Sequence, residues 1–169
     1  MNIKIALIIP WFGKDLKGGA EQQAWQIAMR LSERKLDVTV LTTCSQSFSA
    51  DWSVNYYEPG EYREENFIIK RFPVIKRNSR IFDKVVSKLL SLNKENLFPS
   101  VSPVNRAEEE IYLSENINSP SLITYLRDNC DDYDIFLFMP YLFPVIIKGI
   151  KAVRDRAILQ PCLHDECYA

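Results

Sequence analysis

The chain has 169 residues, 47% of them apolar, enough for one domain that buries a real core without disulfides or metal. Its 21 Lys and Arg nearly cancel 22 Asp and Glu, leaving a net charge of −1 and no whole-chain field to draw in nucleic acid. The longest early apolar run, Ile5 to Pro10, is too short for a signal-peptide core and leads into Trp-Phe-Gly-Lys-Asp rather than a small-residue cleavage site, and no run is long enough to span a membrane.

Ile3 to Ile9 is a near-continuous aliphatic run closed by Pro10, the pattern of a strand buried on both faces of a parallel sheet. Past Gly18 and Gly19, the residues Ala20, Ala24, Ile27, Ala28 and Leu31 recur at helical period, and that helix ends near Arg34 and Lys35. Asp37 to Thr43 is short and β-branched, a second buried strand, and Phe67 to Phe72 is a third, stopped by Pro73. Ile81 to Leu92 reads as an amphipathic helix. The polar stretch from Asn93 to Pro120, broken by Pro99, Pro103 and Pro120, supports only a helical turn around Ala107 to Leu113. A short helix over Ser121 to Cys130, a strand over Tyr133 to Met139, a helix over Leu142 to Val153 and a strand over Ala157 to Pro161 complete the chain, with no internal repeat.

Strands alternating with helices specify an α/β fold, a Rossmann-like parallel sheet with helices on both faces. Ligands of such sheets sit outside the carboxyl ends of the strands, where strand order reverses. With the common order 3-2-1-4-5, the loops after strands one, four and five share one crevice. They carry Trp11, Phe12, Gly18, Gly19 and Glu21, then Pro140 and Tyr141, then His164, Asp165 and Glu166.

Gly18 and Gly19 lie just before a helix whose leading amides face the crevice, so a phosphate is the natural guest; the competing reading is that two glycines merely turn the chain. A nicotinamide cofactor is not expected, because Gly-x-Gly-x-x-Gly is missing and Thr42-Thr43-Cys44 offers no carboxylate to a ribose. His164 is the only imidazole, so near-neutral proton transfer or ring hydrogen-bond donation falls to it, against the alternative of a structural histidine. Asp165 and Glu166 form a carboxylate pair or a solvated turn. Cys162-Leu-His-Asp-Glu-Cys167 lacks the second ligand pair of a zinc site, and no metal is expected. Cys44, Cys130, Cys162 and Cys167, with no export signal, read as free thiols in a cytoplasmic protein.

Pro10-Trp-Phe, then Lys17-Gly-Gly-Ala-Glu21, a helix and Leu36-Asp-Val-Thr-Val-Leu-Thr-Thr43, resembles the opening of the retaining glycosyltransferases of family 4, the "group 1" nucleotide-sugar enzymes with the GT-B fold. Tyr133-Asp134-Ile-Phe, Pro140-Tyr141 and Pro161-Cys-Leu-His164-Asp165-Glu166 carry the second half of the resemblance. It is tight at both ends and loose between Ser45 and Asn129. It implies that residues 1–169 are the amino-terminal, acceptor-side half of a two-domain hexosyltransferase. The carboxy-terminal, donor-binding domain, with its Glu-x7-Glu motif, is absent from this chain, so the chain alone is expected to be inactive.

The implied reaction moves a sugar from a nucleotide-sugar, bound as substrate rather than cofactor, to a saccharide or lipid-linked acceptor with retention, in cell-surface or exopolysaccharide synthesis. Gly18, Gly19 and Ala20 would approach the donor phosphate. His164 would stand beside the reacting sugar, and Trp11, Phe12, Glu21, Tyr141, Asp165 and Glu166 would line the cleft. The alternative is a non-catalytic nucleotide or sugar-phosphate binding module of the same topology.

Charge is segregated along the chain. From Lys70 to Lys94 eight basic residues face the single acid Asp83, whereas Glu95 to Asp134 is strongly acidic. Within the basic part Ile81, Phe82, Val85, Val86, Leu89 and Leu90 fall on one helical face, flanked by Arg80, Lys84 and Lys88. Such a helix either docks peripherally on an anionic membrane beside the acceptor entrance or buries its stripe against the sheet.

Overall fold

Period-2 alternation inside continuous apolar runs decides the centre of this protein. Ala6 and Ile8 enter the core on one side of the sheet, Leu7 and Ile9 the core on the other, and all four are buried. The computed structural model describes residues 3–162 apart from 65, 94, 96, 99 and 100. Strands β1 (Lys4–Ile8), β2 (Asp37–Thr43), β3 (Gly60–Glu64), β4 (Phe67–Phe72), β5 (Ile135–Phe138) and β6 (Ala157–Leu159) form one sheet in the order β3-β4-β2-β1-β5-β6. Every pairing is parallel except β3 with β4. The expected order 3-2-1-4-5 is present, extended by β3. That strand, Gly-Glu-Tyr-Arg-Glu, is exposed along almost its whole length and carries no apolar alternation, so its sequence gives no strand signal.

Helix α1 (Gly19–Glu33) covers one face of the sheet with Ala24, Trp25 and Ala28, against Val38, Val40, Phe67 and Ile69. On the other face α4 (Pro120–Asp128) and α5 (Pro144–Ala152) bring Leu122, Leu126, Val145 and Ile146 onto Leu41, Phe136 and Phe138. Helix α2 (Ser79–Leu90) packs against α3 (Arg106–Ser114). The expected helical turn is thus a full nine-residue helix. Asn105 accepts from the Glu108 N–H while the Glu108 carboxylate accepts from the Asn105 N–H, a reciprocal cap that a polar, proline-broken context concealed.

Half of the apolar stripe of α2 is buried, with Ile81 and Val86 half-buried and Leu90 exposed. Phe82, Val85 and Leu89 are buried, and Lys88 is tied to Glu108 of α3 at 2.7 Å, while Arg80 and Lys84 are exposed on the flank. The buried half of the stripe thus packs inside the protein, the second of the two uses expected from the sequence. No helix among the described residues is long and apolar enough to cross a membrane.

Candidate functional site

The sheet reverses direction of growth at β1, whose neighbours are β2 on one side and β5 on the other, and a cavity of about 640 Å³ opens at their carboxyl ends. That volume lies inside the roughly 300–1,000 Å³ usual for small-molecule sites. Its lining is mostly apolar.

One wall is the turn into α1. The Gln22 side chain donates to the Leu16 carbonyl, which holds the 13–17 loop against the helix. Gly18 is the N-cap, without a side chain to bond the leading amides, so the first turn keeps its unpaired N–H groups. The Glu21 carboxylate folds back over this turn. A Cβ on Gly18 would stand 2.0 Å from Glu21 Oε2, whereas one on Gly19 would meet nothing within 4 Å. The bare Gly18 thus leaves room for the Glu21 carboxylate over the helix N-terminus, and Gly19 keeps that terminus open.

The opposite wall joins two loops over Trp11. The indole N–H of Trp11 donates to Ser45 Oγ at 3.3 Å, and its ring meets Phe48, Trp52 and Phe143 with centroids 5.5, 5.3 and 5.1 Å away. Leu142, in the loop after β5, is held left-handed at φ 67°, with the Tyr112 hydroxyl donating to its carbonyl at 3.2 Å. Arg77 lies over the rings of Trp52 and Phe82 and donates to the Glu115 carbonyl.

Asn118 organises the remaining edge. Its side-chain amide donates to the carbonyls of Leu113, Ser114 and Asn116, and its Oδ1 accepts from Lys148 Nζ at 2.8 Å. This fastens the chain beyond α3 and presents Asn116 to the cavity. Near the α1 turn, the Cys162 thiol donates to Gln23 Oε1. Burial foremost, then the nearby Glu21 charge, pushes that thiol above its ordinary range, so it is a poor nucleophile at neutral pH. No group of three metal-ligating side chains stands together among the described residues.

Of the residues expected from sequence, Trp11, Gly18, Gly19, Ala20, Glu21 and Tyr141 line this one cavity. Phe12 does not. It is fully buried in the core beneath α1, stacked on Trp25 at 5.3 Å, because successive side chains leaving a strand point to opposite sides. Arg80, Lys84 and Lys88 are likewise not in the lining. His164, Asp165 and Glu166 lie outside the described residues. The sequence reading did not assign Phe48, Trp52, Phe82, Tyr112, Asn116 and Phe143 to the cavity: Phe48, Trp52 and Asn116 come from segments with no periodic signal, and Phe82, Tyr112 and Phe143 lie on or beside segments read as helical, whose pattern does not show which cavity they reach.

No protein-family model and no curated protein matches the chain. The chain is similar to a solved structure described as "Trehalose-6-phosphate from E. coli bound with UDP-2-fluoro glucose", with 11% identity and a TM-score of 0.47 over 90% of this chain. It spans 30% of the length of that structure. A likeness at this level assigns neither activity nor substrate.

Proposed function

We propose that this chain is the amino-terminal, acceptor-side domain of a retaining glycosyltransferase that uses a nucleotide-sugar. The observation that supports this most is the single cavity at the carboxyl ends of β1 and β5, where the glycine turn of α1 meets the loop after β5. These are the segments that carry the family resemblance. In this reading the unpaired amides of the first turn of α1, reached over Gly19, meet the donor phosphates. Tyr141 borders the acceptor. His164, the ring donor that the family resemblance implies, stabilises developing charge at the reacting sugar. The basic groups that bind the donor phosphates come from a second domain.

The test is a transfer assay on the protein extended to include that second domain, with a panel of nucleotide-sugars and the anomeric configuration of product read by NMR. Expected are retention, no turnover by residues 1–169 alone, and a loss of roughly a hundredfold or more in turnover for His164→Ala with a smaller change in KM. Absence of transfer from every donor, together with tight nucleotide-sugar binding by residues 1–169, would show a binding module instead.

A further inference from the structure

We propose that Tyr112 is a positioning residue whose bond to the Leu142 carbonyl is the catch of a two-state loop. With the catch made, residues 140–143 wall the cavity; with it broken, Leu142 leaves the left-handed region and the wall opens. The starting observation is Leu142 itself. Lys35, left-handed at φ 64°, follows the end of α1, and its N–H donates to the Ser32 carbonyl, the ordinary helix-closing use of that conformation. Leu142, at φ 67°, closes no helix and carries a bulky side chain in a region that disfavours such residues roughly tenfold.

The loop is pinned at both ends. The Met139 N–H donates to the Ile8 carbonyl, and the Phe143 carbonyl accepts from the Ile146 and Ile147 N–H groups at the start of α5. Between these anchors, the strained residue is the one whose carbonyl accepts the Tyr112 hydroxyl, from 30 residues away. Tyr112 rides on α3, its ring tilted against Phe82 of α2 at 5.6 Å, so one bond ties the helical pair to the loop after β5. Pro140 to Phe143 all line the cavity. A neutral hydrogen bond shifts an equilibrium by about five- to tenfold, the same order as the strain it offsets, so the two loop states lie close in free energy once the bond is gone. The consequence for substrate binding rests on the transferase reading, whereas the loop equilibrium does not.

The experiment is NMR relaxation dispersion of the backbone amides of the 169-residue chain, parent and variants, with no ligand added. Tyr112→Phe keeps the ring and loses the hydroxyl; it is expected to raise the open population about five- to tenfold and to bring microsecond–millisecond exchange to the amides of residues 141–143. Two substitutions at position 142 separate strain from packing. Leu142→Val, β-branched and resistant to left-handed φ, should act in the same direction as Tyr112→Phe. Leu142→Asn, which tolerates that φ, should suppress the exchange when combined with Tyr112→Phe. Unaltered exchange in Tyr112→Phe, exchange confined to α3, or the same effect from Val and Asn at position 142 would each overturn the proposal. In the protein extended to include the second domain, Tyr112→Phe should raise KM by up to the same factor, with kcat changing less than about twofold, and Leu142→Asn should restore it. A KM unchanged by Tyr112→Phe would overturn the positioning role. The expected exchange without transfer from any donor keeps the catch and removes the transferase reading, and transfer by a protein whose Tyr112→Phe variant shows no exchange does the reverse.

Discussion

Three glycines in helical surroundings meet three different constraints, and only their neighbours tell them apart. The Gly18-Gly19 pair was legible as a turn with an open helix terminus, but its division of labour was not, because that depends on where the Glu21 side chain folds. Gly149, inside α5, carried no signal at all. A Cβ there would lie 2.7 Å from Phe138 Cε1 and 3.1 Å from Leu126 Cδ1, so the helix approaches β5 and α4 only because that position is bare. Alanine therefore has opposite effects at two helical sites. Gly19→Ala should raise stability by about 0.4–1 kcal/mol by restricting the unfolded chain, while Gly149→Ala should lower it by about 1–3 kcal/mol through overpacking. Urea unfolding of the two variants checks this, and shifts of the same sign would show that the packing around Gly149 is looser than described.

At the scale of elements, the buried strands and the helices facing them were legible because period and length agree, whereas β3 and the start of α3 rest on pairing and capping. Arg71 shows the limit most clearly. In sequence it belongs to a basic segment. In the fold it is 8% exposed near the end of β4, donating to the Phe12 carbonyl at 2.8 Å and the Thr43 carbonyl at 3.4 Å, with its guanidinium 3.8 Å over the Tyr57 ring. Its partners lie 59 and 28 residues away, beyond any local pattern. Burial lowers its pKa, yet a guanidinium stays protonated, so a charged donor fastens the exits of β1 and β2 to the loop that carries Trp52. Arg71→Met keeps the aliphatic stem and loses these bonds; it should cost about 1.5–3 kcal/mol in denaturant unfolding and redden the emission of the tryptophans around the cavity. A neutral result would mean that the exits are held by the ladder alone.

For the molecule as a whole, the crevice at the reversal of strand order was readable from the alternation of elements. The wall opposite the glycine turn was not, because residues 44–59 and 111–118 are brought over Trp11 by ring contacts and by Asn118 rather than by any repeating pattern. One consequence of closing both faces of the sheet is a dependence on alkaline pH. Tyr133, buried at the entrance to β5 with its hydroxyl 2.9 Å from that of Tyr125, is held well above the ordinary tyrosine value of 10.0 by burial first and the Tyr125 bond second. Tyr125 is raised as well, mainly by burial, and so is Cys44 from its ordinary 9.0. In the unfolded chain these groups release protons near their ordinary values, while the folded protein retains them. The unfolded state therefore binds fewer protons as pH rises, and stability, complete below about pH 8, falls through the thiol range and then more steeply above about pH 10. Tyr133→Phe removes one of the retained protons. Its urea midpoint should lie near that of the parent protein or below it at pH 8, and its decline above pH 10 should be shallower by at most about 1.4 kcal/mol per pH unit. A slope unchanged from the parent would assign the alkaline loss to Cys44 and Tyr125.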